Sequence, residues 1–350
     1  MTRKNSFDAI RLFAAILVIF SHSFALTGQP EPAAKLVSLG AVGVWIFFIL
    51  SGYLISKSWE QYPRFNVFFA KRALRIFPGL IVAILVTIAV TGLFFTTVPL
   101  KQFLLSQETW GYLNNIFLYN NTFTLPGVFT DNVYPGAVNG SIWTLCYEFT
   151  MYIAVAIIGV LKLYKRIKPL YFWVFLFIAV LVVLINGNPI LNQSLFYLTF
   201  SQFLIFALVY FSGVMMHKYE KKIKLNTKLG VVSLVVFIGA TLLFPKFAPL
   251  FASLFLAYAI FSIGRHSLFS SLSERIGDLS YGTYIYAFPI QQMIESVTHT
   301  PNPYKMFVLS LVLTLATAAL SWHFIESKAL VLKSKINQKR YPLTETDEAW

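Results

Sequence analysis

Long apolar stretches recur along the whole chain, and they constrain its fold more than any other feature of the sequence. Each is long enough to cross the roughly 30 Å of hydrocarbon in a bilayer as a helix. A lipid-exposed segment must satisfy its own backbone hydrogen bonds, which an α-helix does. The sequence therefore predicts an all-α integral membrane protein, a bundle of about ten transmembrane helices. We place these helices near 8–27, 37–56, 76–97, 141–161, 170–187, 194–216, 229–245, 247–264, 279–297 and 304–325.

The composition also indicates that lipid is the solvent. Hydrophobic residues make up 57% of the chain and charged residues 12%, whereas a soluble domain is usually about 25% charged. The single cysteine, Cys146, excludes an intramolecular disulfide. The apolar N-terminus resembles a signal peptide, but it contains Arg11 and His22 and lacks a clear small-residue cleavage site. We interpret it as a retained first helix.

The positions of the basic residues predict how the helices are oriented. With a cytoplasmic N-terminus, 23 of the 28 Lys and Arg residues fall on the cytoplasmic side, four on the other side, and Arg11 in the membrane. This asymmetry follows the positive-inside rule and explains the net charge of +14 without a nucleic-acid partner. Both termini are predicted to be cytoplasmic. We expect one transmembrane domain over 1–327, with an aromatic-rich, ordered outer loop at about 98–140, and a cytoplasmic tail over 328–350.

The first helix carries ionisable residues, which are costly inside a bilayer and are functional candidates there. Arg11 and His22 are eleven residues apart, about 20° from whole helical turns, so they share one face roughly 16 Å apart. Asp8 precedes Arg11 by three residues and can hold its guanidinium. A histidine can accept and return a proton near neutral pH, which suits acyl transfer. The alternative is a capping ion pair and a histidine hydrogen-bonded between helices.

Six segments in order resemble the membrane-bound acyltransferase 3 family, in the form that lacks a fused hydrolase-like domain. The first is the spacing of Asp8, Arg11 and His22. The others are FFILSGYLISKSW at 47–59, KRALRIFP at 71–78, SIWTLCYEF at 141–149, LSYGTYIYAFP at 279–289 and FIESKAL at 324–330. Three positions depart from the family pattern, with Thr144 in place of Ser, Ala287 in place of His and Ser327 in place of Pro.

The resemblance implies an O-acyltransferase of the bacterial cytoplasmic (inner) membrane. Such an enzyme moves an acyl group, most often acetyl, from cytosolic acyl-CoA to a hydroxyl of a cell-surface or lipid-linked saccharide at the outer face. Acyl-CoA would be the co-substrate, and no metal is expected. The partners implied are the saccharide and membrane lipid, and the oligomeric state is left open.

The same resemblance implies donor-binding residues near the cytoplasmic side. Arg72 and Arg75 can face one site and hold the phosphates of CoA, although plain anchoring by positive charge is the alternative. Ser51 and Gly52 either allow close helix packing or leave a slot for the pantetheine arm. Tyr281, with Ser280 and Tyr284, either lines the donor channel or packs in the core.

Other residues are assigned to catalysis and to the acceptor. We expect His22, Arg11 and Glu148 to be catalytic, with Glu148 orienting the imidazole or binding sugar hydroxyls; a structural bond between helices is the alternative. Trp143 and Asp8 are assigned to substrate binding, although Trp143 suits the interfacial aromatic belt equally well. A lone cysteine in an apolar helix is more often a packing residue than an acyl carrier, and we interpret Cys146 in this way. His22 would take the proton of the acceptor hydroxyl, either directly or after receiving the acyl group.

A transporter or flippase of a lipid-linked sugar is the main alternative function. A ten-helix bundle with buried charges suits it equally well on composition. Such proteins often carry inverted repeats and broken helices, and neither is apparent in this sequence.

Overall fold

The computed structural model describes residues 6–32, 37–186, 194–195, 198–265 and 277–338, and most of these residues are helical. The helices are α1 (Phe7–Leu26), α2 (Leu39–Gln61), α3 (Phe65–Phe94), α4 (Leu100–Leu105), α5 (Gln107–Gly111), α6 (Thr144–Val160), α7 (Leu163–Arg166), α8 (Pro169–Asn186), α9 (Phe200–Lys218), α10 (Thr227–Leu243), α11 (Pro245–Gly264), α12 (Ser280–Thr298), α13 (Pro303–Ser321) and α14 (Ser327–Gln338). A short antiparallel hairpin pairs β1 (Ser194–Leu195) with β2 (Leu198–Thr199). A 3₁₀ turn, Tyr112–Phe117, follows α5.

Seven helical stretches are long and apolar enough to cross a membrane, judged by length and composition. They are α1, α2, α3, α8, α9, α11 and the run from α13 into α14, which are joined by a π-helical turn at Trp322–Glu326. The prediction of an all-α membrane protein is confirmed. Three further predicted spans coincide with α6 and α10, which are apolar but shorter, and with the more polar α12. The total of ten spans and the cytoplasmic termini stay predictions.

Two boundaries differ from those read from the sequence. Helix α3 begins at Phe65 rather than near 76, so Lys71, Arg72 and Arg75 lie within the helix instead of before it. The cations lower the local hydropathy, but a helix tolerates them where their side chains face a polar cavity. At the other end of the chain, α14 extends through Gln338 into the expected tail, and 339–350 lie outside the described residues.

Helices α2 and α9 approach each other closely because each presents a glycine to the other's backbone. A Cβ built on Gly52 would lie 1.9 Å from the carbonyl oxygen of Tyr210 in α9. A Cβ built on Gly213 would lie 1.9 Å from the carbonyl oxygen of Ile49 in α2. Small residues permit such close contact in lipid, where helix association depends on packing rather than on the hydrophobic effect.

The segment between α3 and α6, which contains the predicted outer loop, is attached to α12 by buried amides. Asn132 donates from its Nδ2 to the side-chain oxygen of Gln292 at 2.8 Å and to its carbonyl oxygen at 2.9 Å. Asn139 donates to the carbonyl oxygen of Ile285 at 2.9 Å. Gln292 in turn donates to two loop carbonyl oxygens at 2.7 and 2.8 Å. These bonds fix the loop against one end of α12.

We predict that Gly52→Ala lowers the thermal stability of the detergent-solubilised protein. The added methyl would meet a backbone oxygen of α9 that cannot rotate away, and overpacking of this kind costs about 1–3 kcal/mol. Gly239→Ala is the matched control, since a Cβ there would meet nothing within 4 Å. That control should be neutral or slightly stabilising, because alanine favours a helix over glycine. Equal melting temperatures for Gly52→Ala and the wild type would contradict the close α2–α9 contact.

Candidate active site

A cavity of about 490 Å³ lies among α1, α2, α3, α6, the start of α12 and the end of α13 with α14. Its volume is typical of small-molecule sites. Seven of the ten residues selected from the sequence line it, namely Asp8, Arg11, Ser51, Arg72, Arg75, Glu148 and Tyr281. His22, Gly52 and Trp143 do not line it. On the predicted topology, the charged end of the cavity faces the cytoplasm.

An ion-pair cluster centred on Asp278 forms one wall of the cavity. Asp278 lies 2.5 Å from Arg75 Nη2 and 3.4 Å from Arg11 Nη1, and Asp8 lies 3.6 Å from the same Arg11 nitrogen. Glu326 lies 3.8 Å from Arg75. Burial alone would raise the pKa of the Asp278 carboxyl, but the charges of Arg75 and Arg11 outweigh it and hold the pKa below its usual range. The cluster joins α1 and α3 to the start of α12.

Asp278 is a site residue that the sequence reading missed. It lies two residues before Ser280 and accepts from the hydroxyl of that residue at 2.5 Å and from its backbone N–H at 3.3 Å. The second bond is the kind that a side chain just before a helix makes to the first turn. Gly277 adopts a φ of +79°, and the Trp322 ring leaves no room for a Cβ there. A Gly–Asp pair just before a helix is a recognisable start signal, but the contact with two arginines depends on the tertiary arrangement.

Arg72 differs from Arg75 in having no carboxylate partner within 4 Å in the described part of the chain. Its Nη2 lies 3.5 Å from the Ser58 hydroxyl, and its buried Nε has no hydrogen-bond partner among the described residues. Lys71 is buried beside it, with its Nζ 3.5 Å from the centre of the Tyr62 ring. The cavity thus contains a guanidinium whose charge is not neutralised by the nearby protein groups.

Glu148 lies on the cavity wall and accepts hydrogen bonds from two hydroxyl groups. Ser51 donates to its Oε1 at 3.0 Å, and Tyr152 donates to the same oxygen at 2.5 Å. The expected contact with His22 is not among the hydrogen bonds of the described residues, so Glu148 belongs geometrically to the cavity and not to the imidazole. The reason is the packing of α6 against α2, which turns the carboxylate toward Ser51.

Tyr281 and Tyr284 line the cavity from α12 with both hydroxyl groups hydrogen-bonded. Tyr281 donates to the carbonyl oxygen of Ile76 at 2.8 Å, and its ring lies 5.6 Å from the Arg75 guanidinium. The Tyr284 hydroxyl lies 2.6 Å from the Thr144 hydroxyl and 2.8 Å from the carbonyl oxygen of Ser141. Tyr284 therefore lines the cavity on the side of the loop before α6, to which its hydroxyl is bonded.

His22 does not line the cavity and contacts the next turn of α12. Its ring packs edge-on against Phe288 with a centroid distance of 5.2 Å, and Phe288 follows Tyr284 by one helical turn, about 6 Å along α12. The Nδ1 atom of His22 is buried without a hydrogen-bond partner among the described residues. Arg11 lines the cavity while His22 does not, so the two residues expected to act together lie on either side of the Tyr284–Phe288 turn.

The remaining sequence candidates have packing contacts. Gly52 faces α9 and allows the close packing of α2 against it, which was one of its two predicted roles. Its neighbour Ser51 lines the cavity. Trp143 packs its ring against Tyr147 at 5.6 Å. Cys146 is buried and donates to the carbonyl oxygen of Trp143. The described residues include no group of three His, Cys, Asp or Glu side chains placed to hold a metal ion; the prediction that no metal is used remains a prediction.

Comparison with known proteins places the chain in a family. Residues 4–326 match the sequence profile of the acyltransferase domain of the acyltransferase 3 family. An "O-acetyl transferase" of Shigella phage Sf6 is 32% identical over 343 residues, covering 95% of this chain and 98% of that protein. "Nodulation protein 10" of Rhizobium leguminosarum bv. viciae is 30% identical over 369 residues, with 96% of each chain covered. No solved structure matches the chain significantly.

The match extends over nearly the whole chain and includes five of the six segments that suggested the family from the sequence, together with the first three residues of the sixth, 324–326. The helices, the polar cavity and the two relatives agree with it. The chain is a membrane protein that belongs to the acyltransferase 3 family.

Proposed function

We propose that this protein transfers an acyl group, with acetyl as the first choice, from cytosolic acyl-CoA to a hydroxyl of a saccharide at the outer face of the bacterial cytoplasmic membrane. The name of the phage relative supports O-acetyl transfer. The observation that carries the proposal is the cavity, in which Arg72 has no carboxylate partner among the described residues. A buried cation without a partner is costly, and an anionic ligand removes that cost.

The donor would bind through its phosphates at the charged end of the cavity. The planar guanidinium of Arg72 can donate two parallel hydrogen bonds to a phosphate. Lys71 adds a second positive charge in the same cavity wall. The acyl-bearing arm would extend past Ser51 and Glu148 toward Tyr284. The Glu148 carboxylate can accept a hydrogen bond from an amide N–H of that arm, because carboxylates accept such bonds readily. Arg11 would stay paired with Asp8 and Asp278, which leaves Arg72 and Lys71 as the cations for the donor.

His22 would act on the acceptor at the far side of the Tyr284–Phe288 turn. It removes the proton of the acceptor hydroxyl while the hydroxyl oxygen attacks the thioester carbonyl. The new C–O bond forms as the C–S bond breaks, and the proton passes from His22 to the departing thiolate. The alternative is a covalent route in two steps. The imidazole first receives the acyl group as the C–S bond breaks, and the acceptor hydroxyl then takes the acyl group from the imidazole.

We predict that His22→Ala abolishes acyl transfer while leaving donor binding intact, because His22 lies outside the cavity wall. Membranes containing the variant would be incubated with radiolabelled acetyl-CoA, and label in saccharide would be counted at matched protein levels. Acetyl-CoA binding would be measured on the purified protein in nanodiscs. Undiminished transfer in this variant would exclude His22 as the base, and a transporter without chemistry would show no transfer even in the wild type.

We predict that Arg72→Gln raises the apparent KM for acetyl-CoA about tenfold or more with little change in melting temperature. A charge-assisted hydrogen bond to phosphate is worth about 1.5–3 kcal/mol, and about 1.4 kcal/mol is tenfold in affinity. Arg72→Lys should raise the KM for acetyl-CoA less, because lysine keeps the positive charge but cannot donate two parallel hydrogen bonds to one phosphate. Arg166→Gln is the control, because it removes an exposed cation that is predicted to lie on the same side. An unchanged KM in Arg72→Gln would contradict donor binding at this residue.

We predict the opposite pattern for Arg75→Gln, which should mainly destabilise the fold. The substitution leaves Asp278 and Glu326 without their closest cation, and breaking a buried pair by removing one partner costs about 3–5 kcal/mol. The measurement is the melting temperature in detergent, compared with the double variant Arg75→Gln with Asp278→Asn. The double variant should recover part of the loss, because the uncompensated carboxylate is gone. A melting temperature equal to that of the wild type would show that the ion-pair cluster is not structural.

A further inference from the structure

Four side chains form a continuous stripe along one face of α12. Tyr284, Phe288, Gln291 and Glu295 are spaced by four, three and four residues, so each lies above the previous one on a helix of 3.6 residues per turn. Tyr284 lines the cavity and Phe288 contacts His22. The stripe therefore leads from the cavity wall at Tyr284, past the residue that contacts His22, toward the outer end of α12 on the predicted topology. Its last two members have no part in the donor cavity.

Gln291 is fully buried and is held firmly by α1. Its Nε2 donates to the carbonyl oxygen of Ile19 and to the hydroxyl of Ser23, both at 2.9 Å. These two bonds fix the orientation of the amide, because only the nitrogen can donate to a carbonyl oxygen. The amide oxygen has no hydrogen-bond partner among the described residues. Ser23 directly follows His22 in α1, so Gln291 of α12 is bonded to the residue next to the histidine.

Glu295 lies one turn further along the stripe and is 3% exposed. Its Oε2 is buried and has no hydrogen-bond partner among the described residues, while its Oε1 lies 3.9 Å from the exposed His299 ring. A buried polar atom without a hydrogen bond destabilises the fold unless a ligand supplies the missing donor. Two acceptor atoms on one helical face thus need donors in the same region.

The attached outer loop covers this part of α12. Gln292, the neighbour of Gln291, has both its amide nitrogen and its amide oxygen bonded to loop residues. A Cβ built on Gly140 would lie 2.7 Å from the Phe288 ring, so the loop also touches the residue that contacts His22. The loop is therefore fixed to α12 at Phe288 and Gln292, in the same turns of the helix that carry the unpartnered oxygens of Gln291 and Glu295.

We infer that Gln291 and Glu295 form the acceptor subsite, which binds the hydroxyl groups of the saccharide that is acylated. This inference rests on the proposed function and deepens it. Hydroxyl groups supply the donors that both oxygens lack, and a polyol bound there has a further hydroxyl within reach of His22. The carboxylate of Glu295 accepts hydrogen bonds and repels anions. The subsite selects neutral or amino sugars over acidic sugars such as uronates.

The test measures acceptor kinetics on the full-length protein in nanodiscs with radiolabelled acetyl-CoA. Three acceptors are compared: a neutral dextran oligosaccharide, an amino-bearing chitosan oligosaccharide and an acidic oligogalacturonate. Gln291→Met should raise the apparent KM for the dextran oligosaccharide about fivefold, the effect of one lost hydrogen bond, without changing the KM for acetyl-CoA. Glu295→Gln, which is isosteric, should lower the neutral-to-acidic ratio at least threefold. This ratio is the acetylation rate with the dextran oligosaccharide divided by the rate with the oligogalacturonate. Glu108→Gln, which removes an exposed charge from the loop, should change neither value.

The outcomes separate this subsite from the proposed function. Unchanged acceptor KM values and an unchanged neutral-to-acidic ratio in both variants, at wild-type melting temperature, would overturn the subsite alone. Release of CoA by the wild type without label in any of the three oligosaccharides would also overturn it, while donor chemistry stands. A wild type that neither binds acetyl-CoA nor releases CoA would overturn the proposed function and the subsite together. If Gln291→Met fails to fold, Glu295→Gln decides the question.

Discussion

The pairing of Asp278 with Arg11 and Arg75 is the interaction on which the interior of this bundle depends. It brings a residue at the start of α12 against one residue each from α1 and α3. Each of these charges alone would be expensive inside a membrane protein, and together they offset one another. Because the two guanidiniums share one carboxylate, α1 and α3 are held around the start of α12. This arrangement keeps a polar cavity open within an otherwise apolar bundle.

The cluster also divides the charged residues of the cavity into those that have a partner of opposite charge and those that lack one. Arg11 and Arg75 already have carboxylates beside them, whereas Arg72 has none and Glu148 has only hydroxyl donors among the described residues. A ligand that combines phosphate with amide N–H groups supplies both missing partners. Arg72 and Arg75 are therefore not equivalent, although they lie three residues apart on one helix and look alike in the sequence.

Local properties of the sequence predicted the helices well, and contacts between helices account for the differences. Apolar length identified the membrane-protein class, and the motifs identified the family. Hydropathy placed the start of α3 too late, because an averaged window counts Arg72 and Arg75 as solvent-exposed and cannot register that they face a cavity. Helical periodicity predicted that Arg11 and His22 share one face of α1, which needs the sequence of one helix only, whereas the position of Glu148 depends on how α6 packs on α2. Asp278 went unnoticed for the same reason.

If the cavity binds the donor as proposed, the separation of His22 from it has a physical use. A thioester is open to hydrolysis, and a site that excludes water protects it until the acceptor arrives. Tyr284 lines the cavity and is fixed by bonds to Thr144 and Ser141, and Phe288 contacts His22 one turn further along. On the proposed mechanism, the acyl group has to cross only that single turn of α12 to meet the imidazole. One helix face would thus carry, in order, the Tyr284 end of the proposed donor cavity, the ring beside the proposed base, and the oxygens that we assign to the acceptor.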